Sequence, residues 1–250
     1  MTTGSHHDET AYGDLSHLGL HPDTVGMLEG ITTTRSIRRY ADEQVPDRVL
    51  RDILFAATRA PSGSNRQPFR FLVLTHGEKA DAAKALMAEG ARKVWGSKRS
   101  TDGYDSGSGA VDDSPKARMA RTMEDYVANL HRVPVLVLAC LVRYREPNPS
   151  EGASVYPAVQ NLLLAARALG YGGTLTGFHG LVDGELKELL GITPEVFIAA
   201  SITLGRPAGN HGPVRRGPID GVVFGDSWGV PATWAIDPPG TRHTRRGPSA

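Results

Sequence analysis

Apolar residues along the chain recur with two periods, one helical and one of strand type. Val49, Leu50, Ile53, Leu54 and Ala57 return at helical spacing just after Pro46 and Asp47, and proline suits an opening helical turn. The run FRFLVLT that follows, Phe69 to Thr75, is short, apolar and partly β-branched, as a strand is. Glu78 to Glu89 reads as a second helix. A third carries Met119, Met123, Tyr126, Val127 and Leu130 on one face and ends before Pro134. Strands are expected at Val135 to Val142 and at Phe197 to Leu204. The helix Tyr156 to Leu169 differs from the rest because its apolar residues cover nearly the whole circumference. That pattern implies burial on all sides, in a core or against a second subunit.

Three stretches break the pattern. Residues 1 to about 25 are polar and mixed, and are expected to be a solvated tail in which SHHDE is not a metal site. Gly96 to Pro115 is rich in Gly, Ser and Asp and reads as a mobile surface excursion. Residues 231–250 read as a second tail. Between them lies one domain, 26–230, with no internal repeat.

Composition narrows the function classes. Of 250 residues, 40% are hydrophobic and 22% charged, an ordinary globular balance. A net charge of +1 gives no reason to expect nucleic acid. No apolar run is long enough to span a bilayer, and the polar start MTTGSHHDET does not read as a signal peptide. The one cysteine, Cys140, excludes an internal disulfide and sits in the apolar run VPVLVLACLV as a small core residue. These features suit a reducing cytoplasm.

Several catalytic patterns fail on context. GDSWG, Gly225 to Gly229, fits the nucleophile-elbow expression, but Val230-Pro231-Ala232 follows where a helix is required. GYGGTLTG, Gly170 to Gly177, breaks the dinucleotide-loop spacing at Leu175 and has Phe178 where a phosphate loop needs lysine. No paired-cysteine or H-E-x-x-H motif supports a metal. What remains is TRSIRRY, Thr34 to Tyr40, which sets Arg35, Arg38 and Arg39 beside hydroxyl groups. The polar loop APSGSNRQPF (Ala60 to Phe69) and the later arginines Arg206, Arg215 and Arg216 complete the set. Arginine forks bind phosphate in bidentate fashion, and a polar Gly/Ser/Asn loop suits a flat polar group. A mononucleotide has both ends.

RSIRRY, APSGSNRQPF, YPAVQNLLLAARALGYGG, and ITLGRPAG with VRRGPID resemble, in this order, the motifs of the FMN-dependent nitroreductase family over roughly Ile31 to Val223. The resemblance implies an α+β fold: a mixed, mostly antiparallel central sheet flanked by helices, in an intertwined homodimer with FMN at the interface. It implies that Arg35, Ser36, Ile37 and Arg38 hold the FMN phosphate and ribityl chain, joined by Arg216. Family members often carry arginine where this chain has Thr34, so one phosphate contact is either lost or supplied by Arg39 or Arg215. Pro61, Ser62 and Gly63 would lie along the flavin, with Asn65 and Gln67 approaching from the neighbouring subunit. Leu175, Thr176 and Gly177 would present backbone N–H groups to flavin N5 and O4. The implied reaction is a two-step hydride transfer from NADPH or NADH through the flavin to a nitroaromatic or quinone acceptor, with no side chain acting as acid or base. A reductive dehalogenase, a biosynthetic flavin enzyme and a non-catalytic flavin-binding protein stay open as alternatives. Trp95 and Tyr104, in the stretch Ala91 to Arg118 that contains the expected excursion, are candidate gates over the acceptor.

Overall fold

Alternation along the central strand explains how two cores form around one sheet. In β2 (Val135–Val142), Val135, Val137, Ala139 and Leu141 enter one core, while Leu136, Leu138 and Cys140 enter the other. Successive strand side chains point to opposite faces, so a strand buried on both reads as an unbroken apolar run. The computed structural model describes residues 18–244. Its sheet has the order β1-β2-β4-β3, with β1 Phe69–Leu74, β3 Gly172–Thr176 and β4 Val196–Gly205, and every pairing is antiparallel. Ala139 pairs with Ala200 and Cys140 with Ile198, which leaves Ala199 as a bulge.

The helices divide between the two faces. Helices α2 (Asp47–Thr58) and α5 (Tyr156–Ala168) cover one, packing Ile53, Ala57, Ala158, Val159 and Leu162 onto the sheet. Helices α3 (Glu78–Thr101), α4 (Pro115–Ala128) and α6 (Asp183–Leu190) cover the other. The short α1 (Met27–Thr33) precedes the arginine segment. α2 is fixed to α5 by the Asn161 amide, which donates to Ala56 O at 3.3 Å. Cys140 is 4% exposed, and burial pushes its thiol up to about 11, so it is an inert core residue as expected.

The expected excursion at 96–115 is in part helical, with turns at 102–114 joining α3 to α4. α3 runs on to Thr101, and Trp95 is a buried member of its apolar stripe with Ala80, Ala83, Met87 and Ala91. Tyr104 packs on Trp95 with ring centroids 5.0 Å apart, and Arg99 pairs with Asp105 at 2.5 Å and also with Glu124. Ser114 then caps α4 through Ala117 N at 3.0 Å. Trp95 and Tyr104 are therefore packing residues of a closed helical hairpin, and neither is free to gate an acceptor. α4 ends at Ala128, before Leu130, and Met119 faces outward from it, 40% exposed.

The expected tails are also shorter than the composition suggests. Thr24 N donates to Ala168 O at 2.7 Å, and the His21 backbone N–H reaches Asp52 at 2.9 Å. Past residue 230, Ala232 and Ala235 are buried, and Asp237 accepts from Ile219 N at 3.0 Å. The SHHDE stretch lies outside the described residues. Among the described residues no helix is long and apolar enough to cross a membrane, and no metal-binding cluster of three or more His, Cys, Asp or Glu occurs.

Candidate functional site

The arginine segment is fixed by backbone pairing before any side chain acts. Ile37 N donates to Gly173 O at 3.0 Å, Ala41 N to Arg206 O at 2.9 Å, and Ala208 N to Arg39 O at 3.0 Å. Residues 37–41 are thus laced between the edge strand β3 and the chain leaving β4. Val214 N donates to Thr32 O at 2.8 Å and brings the C-terminal arginines to the same edge. Ile37 turns its side chain inward against Gly172, where a Cβ would come within 2.6 Å of it, so that position requires glycine. Ile37 contributes position rather than a ligand-facing side chain.

Beneath the segment, the Tyr40 hydroxyl lies 2.7 Å from Ile37 O and 2.8 Å from Thr203 Oγ1. Tyr126 meets the same Oγ1 at 2.8 Å. Burial, with the neighbouring Tyr126, raises the Tyr40 phenol well above its ordinary value, and burial pushes Tyr126 up to about 12. Both remain neutral phenols, so the support under the arginines does not change with physiological pH.

A cavity of about 470 Å³ opens along β3. Thr34, Arg35, Ser36 and Arg216 line one part of it, and Gly173, Thr174 and Leu175 of β3 with Gln160 and Leu163 of α5 line the rest. Among the described residues neither Arg35 nor Arg216 forms a salt bridge, and both are exposed. Thr174 is 1% exposed, and its hydroxyl has no partner among the described residues. In the strand ladder Thr174 pairs with Thr203 and so faces the Tyr40 and Tyr126 side of the sheet, and only the backbone of Thr174 borders the cavity. At the strand's end, Thr176 is tied to Ser201, whose hydroxyl donates to Thr176 O at 3.0 Å. His179 stands behind it with Nε2 2.8 Å from Ile198 O, and burial lowers its basicity and keeps it neutral. Gly177 has open space where a side chain would project. α3 crosses close behind through Gly90, where a Cβ would lie 2.3 Å from Phe178 O.

Not every expected site residue meets here. Arg35, Ser36, Leu175 and Arg216 line the β3 cavity, and Arg38 stands in an adjoining one. Arg39 is committed to Asp125 at 2.5 Å, and Arg206 to Glu43 and the Tyr171 hydroxyl. The loop 61–67 is absent from the lining of this cavity. It is mostly exposed and held by Gly63 N donating to Ser154 Oγ at 3.2 Å and Gln67 N to Ser62 Oγ at 2.8 Å. Three of its residues, Ser64, Asn65 and Gln67, have φ between 50° and 51°, a left-handed backbone that non-glycine residues rarely adopt. Strain of this kind persists where a loop is shaped for a ligand or partner. Sequence reading did not single out Gln160, the polar exception on an apolar helix, which lines the cavity.

The Nitroreductase family model matches residues 31–206, the span that supplies the sheet and all of this cavity's lining except Val214 and Arg216. The chain belongs to the Nitroreductase family. An NADH dehydrogenase of Thermus thermophilus is 30% identical over 222 residues, covering 80% of this chain and 98% of that protein. A Desulfovibrio desulfuricans protein whose crystal structure holds FMN is 29% identical, with a TM-score of 0.59 over 82% of this nitroreductase-family chain and 98% of its own. The nitroreductase NfnB of Sphigopyxis sp. strain HMH shares the fold at 22% identity and a TM-score of 0.63, covering 82% and 100%. The family and the mixed α and β fold of the sequence reading are therefore correct.

Proposed function

We propose that this family member is an FMN-dependent oxidoreductase that takes reducing equivalents from NADH or NADPH and passes them to a flat nitroaromatic or quinone acceptor. The observation that carries the reading is the β3 cavity itself. It has unpaired arginines at one end and the strand β3 at the other, with Gln160 and Leu163 of α5 along its wall. Those features fit FMN: a dianionic phosphate, a polyol chain and a ring with a polar edge. When bound, FMN supplies hydride-accepting and hydride-donating chemistry in two half-reactions.

The chain's own residues bind and orient. Arg35 and Arg216 neutralise the phosphate, with Ser36 adding a donor. Leu175, Thr176 and Gly177 present a backbone edge whose conformation is fixed by the Ser201–Thr176 bonds, and Gly177 adds no side chain to hold the ring away. No side-chain acid or base stands in the cavity lining, in keeping with chemistry carried by the cofactor.

The functional unit is a homodimer. Pro61, Ser62, Gly63, Asn65 and Gln67 do not face the cavity of their own chain, and they complete the partner's site. Large apolar side chains left exposed support this, among them Met27 (80%), Leu28 (78%), Trp228 (93%) and Ile236 (77%). A reducing cytoplasm that supplies NAD(P)H suits the unpaired thiol. The test is initial-rate kinetics with NADPH and a quinone varied together. Parallel double-reciprocal lines are expected, and intersecting lines would reject the two-step scheme.

A further inference from the structure

A second cavity, of about 440 Å³, adjoins the first and shares Arg35 and Ser36 with it. Its walls are the arginine segment, the chain just after β4 at residues 207–210, and the outward face of α4 with Arg118, Met119 and Thr122. Four arginines line it, Arg35, Arg38, Arg39 and Arg118, and no aspartate or glutamate does. Only Arg39 has a carboxylate partner among the described residues, Asp125, and Arg118 reaches no further than the Asp113 carbonyl. By contrast, a cavity of about 330 Å³ elsewhere on the surface is lined by Asp42, Glu43, Asp47 and Asp81. With Arg35 shared with the flavin phosphate and Arg39 held by Asp125, Arg38 and Arg118 are the two arginines left to meet a further anion of more than one charge.

We propose that this second cavity binds the adenosine 2′-phosphate of NADPH and makes the enzyme prefer NADPH to NADH. The inference rests on the flavin reading of the first cavity. A ligand whose nicotinamide reaches the β3 edge must cross the Arg35–Ser36 wall to enter the second cavity. A dinucleotide has that length, and a small nitroarene or quinone does not. A carboxylate on an acceptor would need one arginine fork; a phosphate monoester dianion engages two or more. Met119, exposed beside Arg118, offers an adaptable apolar surface for the adenine. Arg118 is the specificity-determining residue, since it comes from α4 and lies outside the lining of the flavin cavity.

The experiment compares FMN-loaded wild type with Arg118→Gln, using menadione as a neutral acceptor. Wild type should show kcat/KM at least tenfold higher with NADPH than with NADH. Arg118→Gln should raise KM for NADPH about tenfold, leave KM for NADH within twofold, and keep kcat and FMN content. 2′,5′-ADP should compete with NADPH in wild type and lose at least tenfold in affinity in the variant. Equal use of the two nucleotides by flavin-loaded wild type would overturn the inference while leaving the flavin reading intact. So would a variant whose only defect is a raised KM for 4-nitrobenzoate relative to nitrobenzene, which would give the cavity to the acceptor. Protein that binds no FMN would instead reject the reading beneath.

Discussion

At the scale of single residues, Thr174 carries a buried hydroxyl with no partner among the described residues, beside Thr203 on the face of the sheet away from α5. Replacement by valine keeps the shape and removes the orphan, so Thr174→Val should stabilise the protein by about 1–2 kcal/mol and leave FMN binding unchanged. Thermal melts read the first effect and fluorescence titration with FMN the second, and a loss of FMN affinity would show that the hydroxyl does reach the ligand. Asp52 governs a different property. Burial alone would raise its carboxyl, but hydrogen bonds from His21 and Arg51 outweigh that and hold it at about 2. A carboxylate depressed in the folded state stabilises above its unfolded value near 4 and loses that contribution as pH falls toward 2. The melting temperature should therefore drop across this window, and Asp52→Asn should flatten the drop at the cost of lower stability at neutral pH. A wild-type profile level from pH 5 to 2 would contradict the assignment. Neither residue was legible beforehand, because a hydroxyl without a partner and a carboxylate with two exist only once distant segments have met.

At the scale of elements, strands β1, β2 and β4 and helices α2 and α5 follow closely from period and punctuation, because unbroken apolar runs and proline-led helices have few other solutions. Two elements did not. β3 is five residues with two glycines, and it is a strand because β4 supplies its ladder. α3 was cut short by the charged and small residues after Glu89, although Ala80, Ala83, Met87, Ala91 and Trp95 keep helical spacing throughout. Composition overrode period there, and period was the better guide. The consequence is testable: Trp95→Ala should cost about 3–5 kcal/mol of stability, as large core truncations do, with kcat on small quinones nearly unchanged in the surviving fold. Denaturant unfolding beside steady-state rates distinguishes this from a gate, which would alter acceptor kinetics with little loss of stability.

At the scale of the whole molecule, the proposed homodimer would account for both the all-round apolar helix and the strained loop. Within one chain, α5 buries Ala158, Val159, Leu162 and Ala166, Leu163 and Leu164 remain half-buried, and Tyr156 is exposed. Leu163 has its place at the cavity, beside Gly173, so Leu164 is the half-buried leucine that the proposed dimer would cover. A stable dimer formed through this face should bury well over roughly 2,000 Å². Leu164→Glu should yield monomer in sedimentation and lose FMN with it, because loop 61–67 would no longer reach its partner's site. Flavin-bound monomer would refute the shared site. The motif order in the sequence announced the cofactor, whereas the distribution of the expected site residues over two adjoining cavities and a separate loop became visible only in three dimensions.

The central claim, that the β3 cavity holds FMN for hydride transfer, is met most directly by one anaerobic titration of FMN-loaded protein with NADPH. The account predicts a yellow protein that bleaches in proportion to NADPH added, at one equivalent per bound flavin, and regains its colour on addition of a quinone. Protein that takes up no FMN, or bound flavin that stays yellow under excess NADPH and NADH, would contradict it.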